Sequence, residues 1–168
     1  LLLSTLAAPP LIELGLAPMA AHLFVLYFGM LSMITPPVAI AAFVAANMAG
    51  APAMRTGWEA VRIAWPAYVV PFLFAGAPAL LMIGGPFDVA VAAVTAVLGV
   101  WLATAGIVGW LAGPLTGAQR AAAVTAGVAV LAPHGLAEGA LMVNAAGLAL
   151  GAAVWALSRK GRAVAPGE

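Results

Sequence analysis

Apolar residues run in long blocks along this chain, and the polar positions between them are few and clustered. Blocks at 1–12, 19–48, 65–83, 89–111, 121–132 and 136–157 are divided by 13–18, by 49–64, by Gly84-Gly85-Pro86 and by 113–119. The longer blocks predict helices that cross a bilayer. Block 1–12 is too short to span and Pro9-Pro10 interrupts it, which predicts the end of a helix or one arm of a re-entrant hairpin. Block 121–132 is also short, and the pattern leaves open whether it crosses or dips in and returns. In 65–83, Pro66 is placed to open a helix, whereas Pro71 and Pro78 should kink it. Asp88 is placed to cap the next span and Asn47 to end an earlier one. The expected fold is an all-α polytopic membrane protein.

Composition sharpens this reading. Hydrophobic residues make up 65% of the 168 positions and charged residues 7%, against about 25% charged in a soluble domain. Six basic residues and a net charge of +1 form no stripe for nucleic acid. Without cysteine there is no disulfide, thiolate metal site or thiol nucleophile. The chain opens on Leu1-Leu2-Leu3 with no charged leader, so the expectation is the C-terminal fragment of a longer membrane protein.

One polar feature lies inside an apolar run. In Ser32-Met33-Ile34-Thr35-Pro36-Pro37, two prolines remove two backbone donors, and the carbonyls of Ser32 and Met33 should lose their i+4 partners. Thr35, before a proline, is pushed from helical dihedrals. An unbroken helix over 22–47 would reach about 39 Å against a hydrocarbon core of about 30 Å, so an unwound centre fits. Broken helices at this depth are tolerated where protein or a polar cavity satisfies the freed groups, and transporters bind ions and substrates at them. The expected site combines the Ser32 and Met33 carbonyls with the Ser32 and Thr35 hydroxyls, and Gly29 permits another backbone to approach. Neutral oxygens of this kind suit sodium, without a carboxylate costing about 2.5–3.5 kcal/mol at mid-depth. A half-helix starting at Val38 would also turn its positive end toward an anion. The competing reading is a structural membrane subunit in which Thr35-Pro36-Pro37 is only a packing kink.

Other polar residues have plainer readings. His22 sits with Phe24, Tyr27 and Phe28 at a span end, as interfacial rings do. His134 reads as a loop residue, and Glu138 and Asn144 as interface-exposed. Glycines 99, 106, 109, 139, 147 and 151 read as helix-packing positions. No nucleophile accompanies a base and no phosphate loop is present, so no enzyme is expected.

The run His22-Leu23-Phe24-Val25-Leu26-Tyr27-Phe28-Gly29-Met30-Leu31-Ser32-Met33-Ile34-Thr35-Pro36-Pro37-Val38-Ala39, continued by Ala51-Pro52-Ala53-Met54-Arg55-Thr56-Gly57-Trp58-Glu59-Ala60 and Val70-Pro71-Phe72-Leu73-Phe74, resembles the large membrane subunit of TRAP transporters. Within them it is similar to the fused-permease branch that works with a TAXI-type periplasmic binding protein. The match covers about residues 18–85, and the remainder of the chain resembles the extra C-terminal helices of fused permeases. The resemblance implies inverted repeats with re-entrant hairpins in a bacterial inner-membrane permease. It would import an organic acid, with an ion gradient, commonly sodium, and no other cofactor. Residues 1–85 would then be the end of the transport domain and 86–168 added helices with a cytoplasmic tail. Gly29, Ser32, Thr35 and the flanking Met33, Pro36 and Pro37 would lie near the ion or substrate site.

Charge placement orients the chain. If every block crosses, Arg55, Arg62, Arg120, Arg159, Lys160 and Arg162 share one side, and Glu13, Asp88 and Glu138 the other. The positive-inside rule makes the basic side, with the C-terminus, cytoplasmic. Arg55 and Glu59, four apart, sit in a segment whose pattern predicts an amphipathic helix along the cytoplasmic interface. A cysteine introduced at Arg55 should therefore react with a membrane-impermeant maleimide only from the cytoplasmic face. Labelling from the periplasm alone would reverse this orientation.

Overall fold

The computed structural model describes residues 2–132 and 139–163, and His134 and Glu138 lie outside them. Among the described residues the chain is all-α, with no strand. It divides into two compact units, residues 1–81 and 82–168.

The first unit contains α1 (Leu2–Glu13), α2 (Pro18–Leu31), α3 (Ile40–Met48), α4 (Ala53–Ile63) and α5 (Trp65–Gly76), then a 3-10 turn at Pro78–Leu81. α1 runs through Pro9-Pro10 instead of stopping there. A proline gives up its own donor but keeps its carbonyl, and Leu14 N–H bonds Pro10 O at 3.1 Å to carry the helix on. α5 is likewise helical through Pro71, which is buried against its neighbours. Pro78 ends the helix rather than kinking it. Ala77 lies at φ −135°, ψ 85°, as the residue before a proline prefers. At about 18 Å, α5 is shorter than the span expected over 65–83. α2 packs on α5 through aromatic rings, with Phe24–Phe72 centroids 5.1 Å apart and Phe28–Phe72 5.8 Å apart.

α4 is amphipathic, as the sequence predicts. Arg55, Glu59 and Arg62 are exposed, and Gly57 is buried. The ion pair that forms here joins Glu59 to Arg62 at 3.5 Å; half exposed at both ends, it adds little to stability.

The second unit contains α6 (Pro86–Val108), α7 (Gly117–Val130) and α8 (Ala140–Ala163). Pro86 opens α6 with Gly85 as its cap residue, which places Asp88 inside the first turn rather than at the cap. There its charge favours the helix N-terminus. α7 starts earlier than the predicted loop allows. Thr116 and Gln119 form a capping box, with Gln119 N–H to Thr116 Oγ1 at 3.4 Å and Thr116 N–H to Gln119 Oε1 at 2.9 Å. Among the described residues, two segments are long and apolar enough to cross a membrane, Pro86–Val108 and Leu141–Arg159. α7, at about 21 Å, falls short of a core about 30 Å thick.

Small residues bring these helices together. A Cβ on Gly127 would lie 2.5 Å from Ala103 N and 2.6 Å from Gly99 O. Gly106 faces the Arg120 carbonyl in the same way, Gly147 faces Ala126 O, and Gly151 sits under Leu102. These contacts pair α6 with α7 and α7 with α8 antiparallel. In lipid, close backbone approach replaces the hydrophobic effect as the source of helix cohesion. Gly109 serves differently, ending α6 at φ +86°. Gly139, at φ +103° with nothing within 4 Å, is also a turn residue and not a packing one. Asn144 is buried, against the expectation of interface exposure; its position on α8 faces the packed side.

Arg120, on α7, donates to the carbonyls of Gly106 at 3.0 Å and Ile107 at 2.7 Å, where a cation meets the negative end of α6. Val154 packs with Leu115 and Ala123, so Arg159, little more than a turn further on, lies at the same end. Its guanidinium stacks 3.7 Å from the Trp155 ring centroid. Asp88 stands at the opposite end of α6. The surface between is apolar, with Val94 56% and Val97 68% exposed, as suits a face toward lipid.

Gly127→Ala should lower stability by about 1–3 kcal/mol, because the added methyl meets backbone that cannot move aside. Gly117→Ala, with nothing within 4 Å, should leave the unfolding temperature almost unchanged. Thermal unfolding of the detergent-purified variants checks the contrast.

Candidate functional site

The interruption between α2 and α3 occupies residues 32–39. Ser32 N–H still reaches Phe28 O at 3.2 Å. After it the turn tightens to i−3 bonds, Met33 to Met30 O at 3.1 Å, Ile34 to Leu31 O at 3.0 Å and Thr35 to Ser32 O at 3.4 Å. Tightening of this kind is how a helix end uses its last carbonyls. Pro36 and Pro37 then offer no donor, and the peptide bond between them is cis. Ala39, fully buried, takes the left-handed conformation at φ 35°, ψ 39° and redirects the chain into α3. The second half-helix therefore begins at Ile40, not Val38.

Of the residues singled out in the sequence, Thr35 has the most connected position. It is half-buried, and its Oγ1 donates to Leu31 O at 2.6 Å and lies 2.6 Å from the Tyr68 phenol oxygen. Tyr68 is on α5, so this contact joins the bend to a helix distant in sequence. Ser32 is exposed, and its hydroxyl turns back onto its own helix, donating to Gly29 O at 2.7 Å. Met33 does not present a bare carbonyl as expected, because Ala41 N–H bonds it at 2.9 Å. That bond satisfies one donor of the first turn of α3 and leaves the carbonyl one lone pair. Gly29 admits no neighbouring backbone, since a Cβ there would meet nothing within 4 Å. Pro37 is exposed, whereas Pro36 is half-buried.

The close approach occurs at Gly57 instead. A Cβ on Gly57 of α4 would lie 2.8 Å from Pro36 Cγ and 3.4 Å from Phe43. Only a glycine lets α4 pass under the bend, and it costs α4 roughly 1 kcal/mol of helix propensity relative to alanine. That unfavourable glycine within an amphipathic helix is the signal the sequence offers. For Tyr68 the signal is a phenol within an apolar span. Neither residue has a role predicted from sequence.

The remaining candidates stand apart from the bend. His22 is exposed on α2. Asn47, also exposed, closes α3, and its carbonyl accepts Gly50 N–H at 3.3 Å. The site thus consists of the hydroxyl and carbonyl oxygens of the bend and the Tyr68 phenol, with the rings that hold α2 on α5 lying outside it. It offers coordination by neutral oxygen and no set of groups for covalent chemistry.

No curated protein and no solved structure matches the chain. A family profile does: the Tripartite ATP-independent periplasmic transporter, DctM component, matches residues 1–89. The matched region contains the whole of the interrupted helix, Tyr68 and Gly57, and more than half of the sequence. This chain belongs to the DctM component family of tripartite ATP-independent periplasmic transporters.

Proposed function

We propose that this chain is the C-terminal part of a permease of the fused, TAXI-associated branch, importing an organic carboxylate with sodium. Members of the family are transporter components, not enzymes, and work with a periplasmic substrate-binding protein and a small membrane subunit. The observation that carries the finer reading is the bend at residues 32–39. Neutral oxygens are gathered there in an apolar segment, and α5 supports them from the side. A hard cation is suited by such oxygens and needs no buried carboxylate. In this reading Ser32, Met33 and Thr35 contribute oxygen, while Gly29, Pro36 and Pro37 shape the break. The carbonyls offer the lone pairs that their own hydrogen bonds leave.

The same reading makes residues 1–85 the end of the transport domain, with a re-entrant arm at its start, and 86–168 accessory helices. It sets Arg120, Arg159 and the C-terminus on the cytoplasmic side of the bacterial inner membrane, by the positive-inside rule. Arg120 and Arg159 at one end of the second unit, with Asp88 at the other, support that orientation.

Thr35→Val removes one oxygen and nearly preserves shape. Loss of one hydrogen-bond-scale contact to a charge weakens a site by about 1.5–3 kcal/mol, or about tenfold to hundredfold in half-saturating ion concentration. Ion-dependent uptake by proteoliposomes holding the full-length permease and its binding protein measures this. Thr35→Ser, which keeps the hydroxyl, should retain the native ion dependence. Native ion dependence in Thr35→Val would return the bend to a packing kink.

A further inference from the structure

We infer that the Tyr68 phenol is an oxygen ligand of the cation site at Thr35, supplied by α5 and additional to the ligands on the bend. This rests on the reading of the bend as an ion site and extends it to a residue outside the interrupted segment.

Counting hydrogens identifies the donor of each bond. A threonine hydroxyl has one hydrogen and two acceptor lone pairs, and a phenol has one hydrogen with acceptor capacity besides. Thr35 Oγ1 lies 2.6 Å from Leu31 O, which can only accept. The Thr35 hydrogen must therefore point at Leu31 O, because two acceptors at that distance would repel. Tyr68 Oη also lies 2.6 Å from Thr35 Oγ1, and with the Thr35 hydrogen already used, the phenol must be the donor. Hydroxyl hydrogens are placed in this way by the network of acceptors around them.

Both hydrogens are then used, Thr35's on Leu31 O and Tyr68's on Thr35 Oγ1, and what the pair has left are lone pairs alone. Thr35 Oγ1 keeps one, and Tyr68 Oη keeps its full acceptor capacity. Leu31 O is not available, since Ile34 N–H at 3.0 Å and Thr35 Oγ1 occupy both its lone pairs. Met33 O retains one lone pair beside its bond from Ala41. Two adjacent neutral acceptors with no donor left over attract a hard cation and offer nothing to a carboxylate. The pair thus distinguishes the coupling ion from the organic anion. A cation on both oxygens also ties the bend to α5, so occupancy fixes the broken segment against its support.

The test uses equilibrium binding of radioactive sodium to the full-length permease in proteoliposomes, with choline as the replacement cation. Tyr68→Phe keeps the ring and removes the oxygen. It should raise the half-saturating sodium concentration by about tenfold or more, with the unfolding temperature in choline lowered only as far as the loss of one hydrogen bond explains. Phe72→Leu is the packing control: it loosens the ring contacts with Phe24 and Phe28 and touches neither oxygen, so its sodium affinity should remain native. The Tyr68→Phe/Thr35→Val double variant should be weakened by less than the product of the single effects, because the two oxygens share one ion. Native sodium affinity in Tyr68→Phe, with Thr35→Val weakened, would overturn the Tyr68 role and leave the ion site at the bend standing. Equal losses in Tyr68→Phe and Phe72→Leu would assign the effect to packing and also overturn it. Absence of saturable sodium binding in the native permease would remove both the inference and the sodium reading beneath it.

Discussion

Two backbone donors are missing at Pro36 and Pro37, in a segment too apolar for water to replace them. The first unit is organised around that deficit. Carbonyls upstream turn to i−3 partners, Ala41 N–H reaches back to Met33 O, and the Thr35 hydroxyl takes the Leu31 carbonyl. Each adjustment keeps a polar group satisfied, and in lipid an unsatisfied one costs several kcal/mol. The result is a bend with its hydrogen bonds assigned rather than a loose loop. Fixed oxygens of this kind can bind an ion without first being ordered.

The bend does not stand on its own residues. α5 supports it through Tyr68 and through the Phe24, Phe28 and Phe72 rings, and α4 supports it where Gly57 passes beneath Pro36. The rings supply area and a preferred edge-on geometry, whereas the Tyr68 contact supplies direction. Substitution at Gly57 would displace Pro36, a residue no helix-propensity argument would connect to it. The second unit solves a different problem by different means. Its helices are held by glycines that let backbones touch, and the Arg120 guanidinium closes the end of α6. Stability there comes from dispersion at short range and not from expelling water, which lipid already excludes.

Much of this was legible in the linear pattern. Hydropathy and charge scarcity determined an all-α membrane protein, because in lipid only helices and closed barrels satisfy the backbone. The Thr35-Pro36-Pro37 tract marked a candidate stop for α2, because two adjacent prolines remove two donors from the ladder. The Arg and Glu spacing in 55–62 determined an amphipathic α4.

The tertiary structure alone decided what each proline pair does. Pro9-Pro10 stays within a helix, whereas Pro36-Pro37 breaks one. The dipeptides are identical, and the difference lies in the neighbours: Gly57 against Pro36 and Phe43, and a buried left-handed Ala39. Likewise the carbonyls expected to be free proved to be shared, because Ala41 N–H reaches Met33 O and Thr35 N–H reaches Ser32 O. Tyr68 reaches Thr35 only because α2 and α5 pack, and the chain separation between them hides that contact from any local pattern. Periodicity reports which face of a helix is buried. It does not report which distant side chain will meet that face, and at this bend that meeting turns the Tyr68 hydrogen onto Thr35.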